Sequence, residues 1–360
     1  MEKKENLAVK IILPILCFFL GFAIMYGIMY KYPTLVTDKI TKVEKNVTIT
    51  DTGLADAVEK VYDAVVVVST YQKNKATSSG TGFVYKEDKT YGYILTNYHV
   101  VESSDKVTVQ FTNGEIVETD ILGYDKYTDT AVLRVPKKSI ISVAQIGSSA
   151  DMRVGDTTFA VGAPIDSVFS WTVTRGILSG KNRMVQADDS DYVMKVLQTD
   201  AAINHGNSGG PLCNANGEVI GITSMKLINE AVEGMSFAYN IEDTLKVAAS
   251  IEKNEKIVRP YIGVQMYNVS DAYYSRDYNS MFQQYDITYG VLIYSVTKNT
   301  PADKAGLQKD DVVIAVDGKD VNNIGYFRYY LYEHKAGEKI KITINRQGEL
   351  KTLTLTLGSE

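Results

Sequence analysis

From Ala64 to about residue 240 the chain is written as short β-branched and aromatic runs separated by Gly, Asn and Asp, and this pattern leaves no room for a helical core there. The runs include Ala64-Val65-Val66-Val67-Val68-Ser69-Thr70, Thr81-Gly82-Phe83-Val84-Tyr85, Tyr93-Ile94-Leu95-Thr96, Val107-Thr108-Val109-Gln110-Phe111 and Ala131-Val132-Leu133-Arg134-Val135. Many short strands punctuated by turn residues predict an all-β barrel or sandwich. Helical spacing brackets the region, over Leu54 to Val61 before it and from Ile241 to about Lys253 after it. A charged connector, Glu252 to Lys256, then leads to a second unit over 258–358. A length of 360 residues accommodates about two domains. An apolar share of 45% is enough to bury their cores and excludes wholesale disorder.

The charge balance, 38 basic against 43 acidic residues, offers no basic surplus, so nucleic acid is not an expected partner. Cys17 and Cys213 are the only cysteines. They allow neither a disulfide framework nor a cysteine-based zinc site, and no metal or cofactor is expected.

Residues 11–30, IILPILCFFLGFAIMYGIMY, carry no charge, and Lys10 and Lys31 bound the run. That length spans a hydrocarbon core as a helix. A cleavable signal has a shorter apolar stretch ending in small residues, whereas bulky side chains fill the end of this one, so it reads as an uncleaved anchor. The scheme is then a tail over 1–10, a membrane anchor over 11–30, a polar linker over 31–50, and folded domains over 51–250 and 258–358. Lysines flank both ends of the anchor and do not set its orientation.

The strongest chemical signal is Gly206-Asn207-Ser208-Gly209-Gly210-Pro211. Glycines around one serine permit a tight turn in which the N–H groups of Gly206 and Ser208 converge on a developing oxyanion, with Ser208 as nucleophile. A serine hydroxyl needs a base, most often a histidine oriented by a carboxylate. Of the three histidines, His99 ends an apolar strand-like run, His205 sits inside the loop that must supply oxyanion donors, and His334 lies far off in the second unit. His99 is the candidate base. Asp105, Asp120, Asp125 and Asp129 all lie between base and nucleophile. Asp129 is preferred because it opens an apolar strand, where its carboxylate can be buried against the imidazole. The other three sit in polar surroundings and read as solvated loop charges.

The blocks Thr96-Asn97-Tyr98-His99-Val100-Val101, Asp129-Thr130-Ala131-Val132-Leu133 and Thr199 to Leu212, in that order, resemble the three active-site blocks of HtrA-type (Deg) serine proteases. Ser79 to Phe83, Val173 to Gly180 and Met235 to Ile241 resemble further family segments, so the likeness covers roughly residues 54 to 358. It implies a mainly β protein: a chymotrypsin-like (trypsin-like) double β-barrel with His99, Asp129 and Ser208 in the cleft. His205 stands where the commonest family form has proline, and Tyr98 replaces a smaller or polar neighbour of the histidine. Ala202, six positions before Ser208, replaces the aspartate that selects Lys or Arg in basic-specific enzymes of this fold. A small or branched apolar residue on the acyl side of the cut is therefore implied.

Arg259-Pro260-Tyr261-Ile262-Gly263-Val264 and Thr300 to Gly318 resemble the carboxylate loop and core of the single PDZ domain that follows the protease in this family. Ile262, Gly263 and Val264 would cradle a C-terminal carboxylate while the peptide adds a strand beside them. Tyr326 and Tyr330 share one face of the helix expected to line that groove and read as core rather than as ligand contacts. The likeness further implies a single-pass membrane protein with its catalytic domain outside the cytoplasm, a homotrimer, and misfolded or membrane-regulator proteins as substrates. A PDZ-based chaperone or adaptor with incidental proteolysis is the alternative.

Overall fold

The computed structural model describes residues 7–31, 52–163, 170–186, 192–227 and 234–359, which divide into two units at residue 50. In the first unit the backbone is helical over Leu7–Lys31 (α1), while side chains are described there only for 15–28, 30 and 31. Among the described residues no helix is long and apolar enough to cross a membrane. The expected linker lies outside the described residues apart from Lys31.

The second unit opens with α2 (Thr52–Tyr62) and then builds a closed barrel. Its strands are β1 (Val65–Gln72), β2 (Lys75–Glu87), β3 (Tyr91–Asn97), β4 (Lys106–Gln110), β5 (Ile116–Asp125) and β6 (Thr130–Pro136), joined in the order β1-β2-β3-β6-β5-β4. A short helix, α3 (Tyr98–Val101), follows β3. The second closed barrel, ordered β10-β11-β12-β9-β8-β7, uses β7 (Thr157–Gly162), β8 (Thr172–Gln186), β9 (Val193–Thr199), β10 (Pro211–Asn214), β11 (Val219–Thr223) and β12 (Ser236–Asn240). Alternating side chains explain why the strands read as continuous apolar runs rather than as alternation. On β1, Val66 and Val68 fill the first barrel, while Val65 points to a core shared with the second. Ile94 and Leu95 divide in the same way on β3, and Leu133 and Val132 on β6.

The predicted helix after the barrels is α4 (Ile241–Glu252). It buries Ile241, Thr244, Ala248 and Ile251 at helical spacing, its three buried apolar residues sealing the core between the barrels. Truncating Ile251 to alanine removes roughly 2–5 kcal/mol of such packing.

The remainder folds around a separate core of Val291, Ile293, Val313, Phe327 and Ile342. Its elements are β13 (Pro260–Tyr261), β14 (Val264–Asn268), α5 (Val269–Ala272), α6 (Arg276–Gln284), β15 (Val291–Val296), α7 (Pro301–Lys304), β16 (Val312–Val316), β17 (Lys319–Asp320), α8 (Ile324–Tyr332), β18 (Lys339–Arg346), β19 (Glu349–Thr356) and β20 (Gly358–Ser359). The main sheet runs β14-β15-β16-β18-β19, which leaves β14 as an edge. Tyr326 and Tyr330 are half-buried, Tyr330 packing against that core, and Ile324, Phe327 and Leu331 form the fully buried face of α8. A phenol needs a partner or water for its hydroxyl, so aliphatic and phenylalanine side chains take the dry face.

Candidate active site

His99 lies in α3, immediately beyond β3, and Asp129 immediately precedes β6. Because β3 and β6 pair through Asn97 and Thr130, the histidine turn and the acid are neighbours despite thirty residues of separation. His99 Nδ1 lies 2.7 Å from Asp129 Oδ2, and the His99 backbone N–H donates to Oδ1 at 2.9 Å. Asp129 is 3% exposed and adopts φ +50°, a left-handed conformation that aspartate tolerates better than most residues. Its carbonyl is fixed by the Tyr98 N–H at 3.0 Å and by Asn97 Nδ2 at 3.1 Å.

Ser208 lies between β9 and β10, on the second barrel. Its loop is tied down through carbonyls. Ser208 C=O accepts from the Thr81 N–H at 2.9 Å, Gly206 C=O from Thr81 Oγ1 at 2.7 Å, and Asn207 C=O from Thr223 Oγ1 at 2.7 Å. Among the described residues the N–H groups of Gly206 and Ser208 donate to no protein acceptor. Gly209 has φ +85°, and a Cβ there would stand 2.2 Å from the Thr81 carbonyl, so no other residue fits. Ser208 is 5% exposed, and its Oγ accepts the Met225 N–H at 3.0 Å; among the described residues it makes no hydrogen bond to His99.

The structure thus joins His99 and Asp129 directly and sets Ser208 on the facing barrel. His205 is exposed, and His334 lies in the second core's domain between Asp317 (3.2 Å) and Glu338 (3.1 Å). Asp125 is occupied elsewhere, accepting from Thr128 and pairing with Arg259. Asp120 pairs with Arg134, and Asp105 accepts from the Lys73 N–H. Tyr98 stacks on Tyr124 at 4.6 Å and donates to Glu102 at 3.0 Å. Burial, with that carboxylate bond, pushes its phenol up to about 12. Cys213 is fully buried, and burial raises its thiol well above the ordinary value, so it is inert packing. No cluster suited to a metal occurs among the described residues.

Sequence reasoning missed Thr81, Thr223 and Tyr239. Thr81 stands inside a family-like segment, but its role as a staple to Gly206 C=O spans 125 residues. Tyr239 is 5% exposed and brings its hydroxyl to 3.4 Å from Asp129 Oδ2.

In the following domain, Ile262 C=O accepts from the Ala302 N–H and Gly263 C=O from the Thr297 N–H, each at 2.9 Å. Gly263 has φ +86°, with Thr300 where its Cβ would be. Beyond it runs the edge strand β14, and the start of α8 is tied to that strand by the Ile324 N–H donating to Asn268 Oδ1 at 2.7 Å. The opposite side of α8 docks on the barrels. Tyr332 meets Tyr127 edge-on at 4.8 Å, and Asn323 Nδ2 donates to Gln186 Oε1 at 2.9 Å. Arg259 pairs with Asp125 and lies over the rings of Tyr127 at 4.4 Å and Tyr332 at 5.2 Å.

Paired six-stranded barrels with a histidine–aspartate pair on one and a glycine-flanked serine on the other define a trypsin-like peptidase, here followed by a PDZ domain. The family descriptions that match say the same: "trypsin-like peptidase domain" over residues 80–222 and "PDZ domain" over 260–357. The chain is 39% identical over 326 residues to the serine protease Do-like HtrB of Bacillus subtilis (strain 168), covering 86% of this chain and 71% of that protein. It is 38% identical over 284 residues to the serine protease Do-like HtrA of Lactobacillus helveticus, covering 77% and 68%. Among solved structures, the HtrA-type protease AlgW with a decapeptide superposes with a TM-score of 0.66 at 28% identity, over 85% of this chain and 98% of that one. The chain belongs to the HtrA-type family of serine proteases.

Proposed function

We propose that this protease is an extracytoplasmic endopeptidase working through His99, Asp129 and Ser208, anchored by residues 11–30 and regulated by C-terminal peptides at its PDZ domain. The observation that carries the reading is the His99–Asp129 pair at 2.7 Å, facing a serine loop whose Gly206 and Ser208 N–H groups are uncommitted among the described residues. Asp129 fixes the imidazole so that Nε2 is the free base. Attack requires the Ser208 side chain to turn from the Met225 N–H, which it meets at 3.0 Å, toward Nε2. The serine then attacks a peptide carbonyl, His99 takes the proton and returns it to the leaving amine, and the two N–H groups hold the oxyanion. Water repeats the sequence on the acyl-enzyme.

Ala202, standing where an aspartate selects Lys or Arg, accords with a peptide substrate lacking a basic requirement. The β14 edge beside Ile262, Gly263 and Val264 suits a C-terminal peptide added as a further strand. Regulation is supported by α8, which borders that edge and also docks on Tyr127, two residues from Asp129. Misfolded proteins or a membrane regulator are the proposed substrates and a homotrimer the proposed assembly, both resting on the family resemblance. The uncharged run over 11–30 supports the anchor, with 1–10 as a cytoplasmic tail and 31–50 as linker to domains over 51–250 and 258–358.

The test is fluorophosphonate labelling and casein hydrolysis by the full chain and by Ser208→Ala. Turnover is expected to fall by at least about three orders of magnitude, with labelling lost. Undiminished activity in the variant rejects the triad. An inactive wild-type chain that still binds C-terminal peptides favours the adaptor reading.

A further inference from the structure

We propose that Tyr239 is a positioning residue of the triad, its hydroxyl donating to the Asp129 carboxylate from the opposite barrel and tuning how that carboxylate serves His99. The inference rests on the triad reading above. Tyr239 stands on β12, opposite Ile222 of β11 and Val196 of β9, whereas Asp129 belongs to the first barrel. The hydroxyl lies 3.4 Å from Oδ2, the same oxygen that faces His99 Nδ1 at 2.7 Å, while Oδ1 takes the His99 N–H at 2.9 Å. One buried carboxylate therefore meets three donors, which ionised oxygens can accept.

The phenol cannot act as anything but the donor toward Asp129. Burial first, then the charge of Asp129, raises it well above its ordinary value, so it keeps its proton wherever the protein is folded. A hydrogen bond to Oδ2 lowers the basicity of the carboxylate. Removing the hydroxyl has the opposite sign: the carboxylate becomes more basic, His99 holds its proton to higher pH, and the base is lost in mildly acidic solution.

Other ionisable groups face this pair. Tyr98 approaches Asp129 from α3, hydrogen-bonded to Glu102. Tyr239 also lines a 410 Å³ cavity against the PDZ domain, whose walls carry Lys195, Asp243, Lys246, Arg259 and Glu333. Tyr239→Phe leaves all of them in place and deletes one oxygen, so the variant reads the hydroxyl alone.

The experiment measures kcat and KM of the full chain in detergent, from pH 5 to 9, on a chromogenic peptide. For Tyr239→Phe the acid limb of kcat/KM is expected to move up by about half a pH unit, with kcat reduced about twofold at the wild-type midpoint and about threefold roughly one pH unit below it, and KM unchanged. Superimposable profiles overturn the proposal. If the phenylalanine variant folds poorly, wild-type chain carrying [¹³C]tyrosine provides a second reading. The Tyr239 ring-carbon resonance must then follow the titration of His99, and a flat resonance overturns the proposal equally. Ser208→Ala separates the two levels: if it retains turnover the triad itself fails, whereas an inactive Ser208→Ala beside an unshifted Tyr239→Phe removes only the tyrosine's role.

Discussion

Thr81→Val is the most informative perturbation of the nucleophile loop, because the side chain keeps its shape and loses one oxygen. The Thr81 hydroxyl donates to Gly206 C=O at 2.7 Å and accepts the Ala163 N–H at 3.0 Å, and the residue is 1% exposed. Valine leaves a carbonyl and an N–H without partners in a dry setting. Each such orphan costs about 1–3 kcal/mol, so the expected loss of stability is about 2–6 kcal/mol. The functional effect is separate. Gly206 C=O is the far end of the residue whose N–H is proposed to hold the oxyanion, and releasing it lets that N–H drift. A displacement of about 1 Å in such a group lowers kcat by roughly a hundredfold. The measurements are urea unfolding and the rate of fluorophosphonate labelling under native conditions. Thr81→Ser, which restores the oxygen, should recover both. A valine variant that labels at the wild-type rate with stability unchanged would refute the idea that this hydroxyl shapes the oxyanion loop.

Two further outcomes concern the edges of the molecule. Arg259→Ala removes a guanidinium stacked on Tyr127 and Tyr332 and paired with Asp125. It should weaken docking of the PDZ domain by about 1–3 kcal/mol and raise hydrogen exchange in α8 and β9, and unchanged exchange would show that the cluster does not hold the domains together. For Glu242, burial opposes ionisation, but bonds from Ser149 Oγ at 2.6 Å and the Ser149 N–H at 2.7 Å outweigh it and hold the carboxyl below its ordinary value. Because the folded value is depressed, the stabilisation is present above the unfolded value near 4.5 and lost as pH falls through the folded one. Unfolding free energy of wild type should therefore drop more steeply than that of Glu242→Gln below about pH 4.5, and parallel curves would exclude the contribution.

Legibility in the sequence followed the range of the interactions. The barrel strands were visible because β-branched runs such as Ala64 to Thr70 have both faces buried, and α4 because Ile241, Thr244, Ala248 and Ile251 recur at helical spacing. Tyr326 and Tyr330 were legible only in part, for a related reason. Spacing places them on one face, but it cannot tell which face is dry, and the phenols stayed at the half-buried margin while Ile324, Phe327 and Leu331 went inside.

Composition, residue order and spacing alone pointed to two domains, mainly β structure in the first, a glycine-bounded serine, and a histidine and an acid suited to serve it, since each of these is a local property of the chain. Choosing Asp129 over Asp125 needed only that one opens an apolar strand. The tertiary structure decided what those groups touch: Thr81 on Gly206 C=O, Tyr239 beside Asp129, Met225 holding Ser208 Oγ, and Arg259 binding the PDZ domain to Asp125. Each of these joins residues far apart in the chain, across a barrel interface or a domain boundary. No local pattern encodes such a contact, because it exists only once hydrophobic burial has brought the two surfaces together.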